Sequence, residues 1–267
     1  MPTPDQLPVD FAEALERARP RLGRLGSEVL FFASIGSTSD VASTLAARGD
    51  CEGAIVVAGT QTAGRGRRGR TWFSPPSSGL YVSLVLTPRQ ARVTPDRAIA
   101  LLTLAAGVAL AEAVELVAGL PAEIKWPNDL FLGRRKLAGI LAEGVTRDAV
   151  VLGYGINVGP MAYPPELSDR ATSLELELGR PIDRANLFAE TLAALARRYD
   201  DLLEGRFDAI LDAWRARAPG SRGARVSWET PAGPRSGMTA GVDERGALLV
   251  DLGNRIERIV AGELKWL

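Results

Sequence analysis

A chain of 267 residues, 46% hydrophobic and 24% charged, has room for one large domain and a small one. Its formal net charge of zero argues against a surface built to neutralise a nucleic-acid backbone. No histidine is present, which removes Ser-His triads, histidine-ligated zinc and any histidine general base. The one cysteine, Cys51, cannot form an intrachain disulfide and fits a reducing, cytoplasmic setting.

The first ten residues lack the basic and apolar regions of a secretory signal. Residues 10–19, DFAEALERAR, predict a short helix capped by Asp10, with Phe11, Leu15 and Ala18 on one side. Residues 37–49 predict a second, opened by a Ser37–Asp40 capping box and closed by Gly49. GAIVVAGTQ (53–61) and GLYVSLVL (79–86) read as strands. Residues 96–118 form a long apolar helix; its most apolar run, 98–111, is too short to cross a bilayer and reads as buried. AEIKWPNDLFL reads as a strand broken at Pro127, because proline removes a ladder donor. KLAGILAEGV and AVVLGYGINV are two more strands, and 184–205 and FDAILDAWRARA are amphipathic helices. Beyond residues 218–223 the pattern changes to short strands and turns. The expected division is therefore residues 1–220 as an α+β domain with a mixed sheet, and 221–267 as a small β-barrel.

Four stretches carry chemistry. Strand 53–61 runs into GRGRRGRTW (64–72), where Gly64, Gly66 and Gly69 allow close backbone approach and the arginines supply bidentate donors. That is a loop for an anion, or a solvated basic tip. KWPND (125–129) presents Asn128 and Asp129 on a rigid turn. With 3 lysines against 29 arginines, finding Lys125 and Lys136 so close together suggests that a compact ammonium matters there. GYGINV places Asn157 among apolar neighbours, where it must bond either backbone or ligand. Ser37, Thr38 and Ser39 stand at a helix start, as caps or as ligand donors.

In this order, Ser-Thr, GRGRRGR, KWPND, KLAGIL, GxGINV and a terminal β-domain resemble the biotin protein ligases from about Ser34 onward. The resemblance implies a class II synthetase-like biotin/lipoate ligase fold with a C-terminal SH3-like barrel. It implies that biotin and ATP, with Mg²⁺, give biotinyl-5′-AMP. The biotinyl group then passes to one lysine of a biotin carboxyl carrier protein of acetyl-CoA carboxylase or a related carboxylase. The family pattern sets Gly64, Arg65, Gly66 and Arg67 against biotin and the adenylate phosphate. It sets Gln61 at the biotin head group and Ser37, Thr38 and Ser39 on the ureido ring. Arg68, Trp72, Asn128, Asp129 and Asn157 fall on the ATP side. Lys136, Arg67 and Asp129 are the implied catalytic residues, Lys136 meeting the carboxyl being activated and Asp129 serving the acceptor lysine as base or by positioning. The family often has Asn where this chain has Ser39. No metal ligand is assigned.

Three other readings make distinct expectations. A lipoate or octanoate ligase would share the adenylate logic, against which GRGRRG and the β-domain speak. A biotin-sensing repressor would need a winged helix-turn-helix for which the 33 residues before Ser34 leave no room, so a monofunctional ligase is expected. An Arg-Gly nucleic-acid binder would lose its affinity with salt. Neither nucleic acid nor membrane is an expected partner, and monomer or homodimer is left open.

Overall fold

The computed structural model describes residues 2–49, 51–160, 163–230, 233–262 and 264–267. Seven strands make one mixed sheet: β1 (Val29–Phe32), β2 (Ile55–Ala58), β3 (Gly79–Leu86), β4 (Glu123–Lys125), β5 (Asp129–Leu132), β6 (Arg135–Gly144) and β7 (Val150–Asn157). Their spatial order is β1-β2-β3-β7-β6-β5-β4; β1 and β2 are parallel and every other pair is antiparallel. Pro127 divides its segment as expected, and the two halves pair as a hairpin with Lys125 opposite Asp129. Strand β1 escaped the sequence reading, since VLFF is too short to show a period.

Helices cover both faces of the sheet. Helix α1 (Val9–Ala18) precedes the sheet, α2 (Thr38–Arg48) follows β1, and α3 (Pro95–Ala118) connects β3 to β4. Two short helices, α4 (Pro165–Ser168) and α5 (Leu174–Leu178), lead to α6 (Arg184–Leu203) and α7 (Phe207–Arg217). Helix α2 packs against Val56, Val85 and Val151 on one face, and α1, α3 and α6 against Ile55, Val57 and Leu84 on the other. Helix α3 is long and apolar enough to span a membrane by length and composition, contrary to the shorter run expected; most of that window is buried inside the protein. Leu101, Val108, Leu110 and Val114 are fully or almost fully enclosed, each burial stabilising by about 1.5–3 kcal/mol.

Two caps differ from expectation. The N-cap of α1 is Pro8, and Asp10 sits inside the first turn. At α2, Ser37 makes no capping bond; the Thr38 N–H donates to Gln61 Oε1 at 2.9 Å. A side chain remote in sequence has replaced the local cap, which no local pattern can signal. Asp183 does cap α6, accepting from the Asn186 N–H at 2.8 Å.

The C-terminal strands are β8 (Arg222–Thr230), β9 (Gly233–Val242), β10 (Leu248–Asp251), β11 (Ile256–Ile259) and β12 (Lys265–Trp266). They form an antiparallel sheet in the order β11-β10-β9-β8-β12. Among the described residues no ladder joins β11 to β12. This sheet is tied to the large one by Trp126, whose indole N–H donates to the Gly246 carbonyl at 2.9 Å.

Candidate active site

A cavity of about 660 Å³ crosses the large sheet, well within the size range of small-molecule sites. Its chemistry changes strand by strand. At β3 and the start of α2 it is lined by hydroxyls. Thr38 Oγ1 lies 2.9 Å and Ser39 Oγ 3.2 Å from Ser83 Oγ. Gln61 joins them, accepting from Thr38 and donating to Ser74 Oγ at 2.9 Å. These groups can satisfy a small polar head group with several donors and acceptors at once. Ser37 is buried just outside the cavity, its Oγ without a partner.

Strands β7 and β6 supply a floor without side chains. Alternation along β7 turns Tyr154 into the core, where its hydroxyl meets Thr191 Oγ1 at 2.8 Å, and leaves Gly153 and Gly155 facing the cavity. Gly155 pairs with Gly139 of β6, and the Trp72 ring lies across both. A Cβ built on Gly155 would stand 2.3 Å from Trp72 Nε1, so only glycine permits this packing.

The glycine-arginine loop folds back on itself over this floor. Trp72 N–H donates to the Gly64 carbonyl at 2.8 Å, and Gly66 N–H to that of Arg70 at 2.7 Å. Arg68 takes a left-handed backbone, φ 58°. Gly64 does not line the cavity; a Cβ there would stand 2.5 Å from the Trp72 carbonyl, so its role is to let the loop close. Arg65 lines the cavity wall, but its guanidinium bridges Asp40 at 2.8 Å and Glu143 at 2.6 Å. Arg67 donates to Asn128 Oδ1 at 2.9 Å. Both arginines thus turn to protein groups at the cavity, which suits a lid on a small ligand better than a basic tip open to a polymer.

The charged end begins at β6. Lys136 Nζ lies 2.7 Å from Asp129 Oδ1 and 5.4 Å from the centre of the Trp72 ring. Asn128 is fixed to β6 by its side-chain amide, 2.8 Å from the Ile140 carbonyl. Asn157 is buried and donates to the Thr172 carbonyl at 2.9 Å, so it holds the segment after β7 while also lining the cavity. The cavity therefore gathers Thr38, Ser39, Gln61, Arg65, Gly66, Arg67, Arg68, Trp72, Asn128, Asp129, Lys136 and Asn157, and leaves out Ser37 and Gly64. Sequence reasoning missed Ser83, the glycine floor, and Trp266 of the C-terminal sheet, which reaches the same cavity. The glycine pair around Tyr154 was the one local signal.

Comparisons with known proteins agree with this geometry. Residues 31–159 match the model of the biotin/lipoate A/B protein ligase family. The chain is 37% identical over 240 residues to a biotin–[acetyl-CoA-carboxylase] ligase of Mycobacterium tuberculosis, covering 87% of this chain and 86% of the relative. It is 36% identical over 248 residues to the bifunctional ligase/repressor BirA of Bacillus subtilis, covering 90% and 74%. Among solved structures, the Aquifex aeolicus biotin protein ligase in complex with biotin and ATP superposes with a TM-score of 0.78 at 28% identity, covering 90% of this chain and 99% of that one. On these likenesses the chain belongs to the biotin/lipoate A/B protein ligase family, on its biotin protein ligase branch.

Proposed function

We propose that this chain activates biotin with ATP to biotinyl-5′-AMP, releasing diphosphate, and transfers the biotinyl group to a lysine of the biotin carboxyl carrier protein of acetyl-CoA carboxylase. One observation carries the reading. A single cavity holds a neutral hydroxyl cluster at one end and the Lys136–Asp129 pair beyond a flat floor, as an uncharged ring system with a distal carboxylate requires. The names of the relatives support the same substrates and acceptor.

In the first step the biotin carboxylate attacks the α-phosphorus. Two anions must meet, and the barrier is lowered by cations fixed where charge develops. Lys136 stands at the floor's edge for that purpose, and Arg67, anchored on Asn128, holds the loop over the product. The closed loop also keeps water from a mixed anhydride. In the second step the acceptor amine must be neutral, a state held by about one lysine in 2,500 at pH 7. Asp129 already faces Lys136, so it serves best by positioning the incoming ammonium beside the anhydride.

The side chains do not form a metal cage: among the described residues no three His, Cys, Asp or Glu groups cluster as ligands. Mg²⁺ would enter with the nucleotide and would help to neutralise its phosphates. Residues 1–220 carry this chemistry as the catalytic domain, with 221–267 as the smaller unit packed against it. The test is mass spectrometry of an apo carrier domain incubated with enzyme, biotin and ATP. One biotinyl group on one lysine is expected; an unmodified carrier contradicts the reading.

A further inference from the structure

The nitrogen of Lys125 lies 4.7 Å from the centre of the Phe131 ring and 5.2 Å from that of Trp266. Phe131 comes from β5, whereas Trp266 comes from β12 of the C-terminal sheet. Trp266 is seated there by Gly220, at which a Cβ would stand 2.9 Å from its ring. Lys125 is half-buried and lines the same cavity as Lys136. Among the described residues it makes no ion pair. The charges that act on it are Asp129, Arg170 and Lys136, three cations with Lys125 itself against one carboxylate. Burial first, and then Arg170 and Lys136, draw the Lys125 ammonium below its ordinary range, while Asp129 opposes them. Such a cluster lacks an anion.

The sheet says which anion. Crossing from β3 to β4, the cavity presents Ser83, the glycines of β7 and β6, Lys136, Asp129 and finally Lys125. Neighbouring strands are about 4.8 Å apart; Lys125 is in register with Asp129 and Gly139, so it stands about two strand spacings beyond β6, away from the hydroxyl pocket. In phosphoryl and nucleotidyl transfer the attacking and leaving oxygens lie in line across phosphorus. A carboxylate that attacks from the hydroxyl side expels its leaving group toward β4.

We propose that Lys125 is a catalytic residue that receives the departing diphosphate, and that Trp266 is a positioning residue that holds it there. The inference rests on the biotin-adenylation reading above. A carboxylate oxygen forms the new bond to the α-phosphorus. The bond from that phosphorus to the bridging oxygen breaks, and its electron pair leaves with diphosphate. No proton moves; Lys125 stays an ammonium and neutralises the charge that accumulates. The aromatic walls exclude water and strengthen that interaction.

The test separates the two half-reactions. Lys125→Met keeps an apolar stem of similar length and removes the charge. Biotin-dependent ATP–diphosphate exchange should fall about 100-fold, the scale of losing one aimed electrostatic donor. The Michaelis constant for diphosphate in the reverse direction should rise. Transfer to the carrier from chemically made biotinyl-5′-AMP involves no diphosphate and should change less than about threefold. Lys125→Arg should restore part of the exchange, and Trp266→Leu should raise the Michaelis constant for diphosphate while leaving that for biotin unchanged. Equal loss in both half-reactions, or undiminished exchange in Lys125→Met, overturns the proposal. Wild-type enzyme that shows no biotin-dependent exchange would instead overturn the adenylation reading itself.

Discussion

Lys136 of β6 and Asp129 of β5 face each other at 2.7 Å on neighbouring strands of one sheet. The pair is partly covered and lies where the hydroxyl pocket gives way to the charged end. Asp129 thus holds the ammonium in place before substrate arrives, and an incoming carboxylate offers it a second acceptor. Lys136→Ala should lower adenylation at least about 100-fold with the fold intact. ATP–diphosphate exchange checks the rate and circular dichroism the fold; near-normal exchange in a folded variant would remove Lys136 from the chemistry.

Arg67 has a different task. Its bond to Asn128 closes the loop, and an adenylate phosphate would add a charge-assisted bond. Arg67→Gly loses both and adds backbone freedom to the open loop. A loss of about 2 kcal/mol corresponds to roughly 30-fold faster release when it falls on the off-rate. Adenylation should suffer less than retention, so free adenylate acylates bystander proteins. The readout is biotin on an unrelated protein, with and without an amine quencher. Labelling confined to the carrier would place Arg67 in the chemical step instead.

Gly155 tests the floor. A methyl group there collides with the indole of Trp72 and lifts it from the sheet. Displacing a positioning group by about 1 Å can cost on the order of 100-fold in rate. Gly155→Ala should weaken biotin binding at least about tenfold by titration calorimetry, and Trp72→Ala should recover none of it. Wild-type affinity in Gly155→Ala would show that the ring–glycine contact is incidental.

The order of the motifs makes the fold class and most of the cavity lining readable in the sequence. GRGRRGR, KWPND and KLAGIL each fall on the loop or strand expected, and their residues meet across β5, β6 and β7. What stayed hidden depends on partners distant in the chain. Ser37 reads as a cap, yet Gln61 does that work, bonding Thr38 from 23 residues away. Arg65 reads as an anion ligand, yet Asp40 and Glu143 occupy it. Trp266 carries no local sign that a C-terminal strand will reach Lys125. Local pattern reports faces and turns; it does not report which remote side chain fills them.

Stability has its own titrating element. Glu112 of α3 accepts from Arg197 of α6 at 2.6 Å and pairs more closely still with Arg198. Burial pushes its carboxyl up, but the hydrogen bonds from Arg198 and Arg197 outweigh this and hold it below the ordinary range. A depressed carboxyl contributes stability that is present above its unfolded value, near 4.3, and lost as pH falls through the folded one. Glu112→Gln should cost about 1–2 kcal/mol at pH 7. The gap to wild type should narrow steadily below about pH 4 in urea titrations. A gap constant from pH 7 to pH 3 would show that packing, not charge, accounts for the loss.

The central claim is that one cavity turns a biotin carboxylate into an acyl-adenylate. Its most direct test is ATP–diphosphate exchange by the purified chain with biotin, with lipoate and with octanoate in turn. Exchange that requires biotin and ignores the other two acids is the predicted result; exchange driven equally by lipoate or octanoate, or none with biotin, contradicts it.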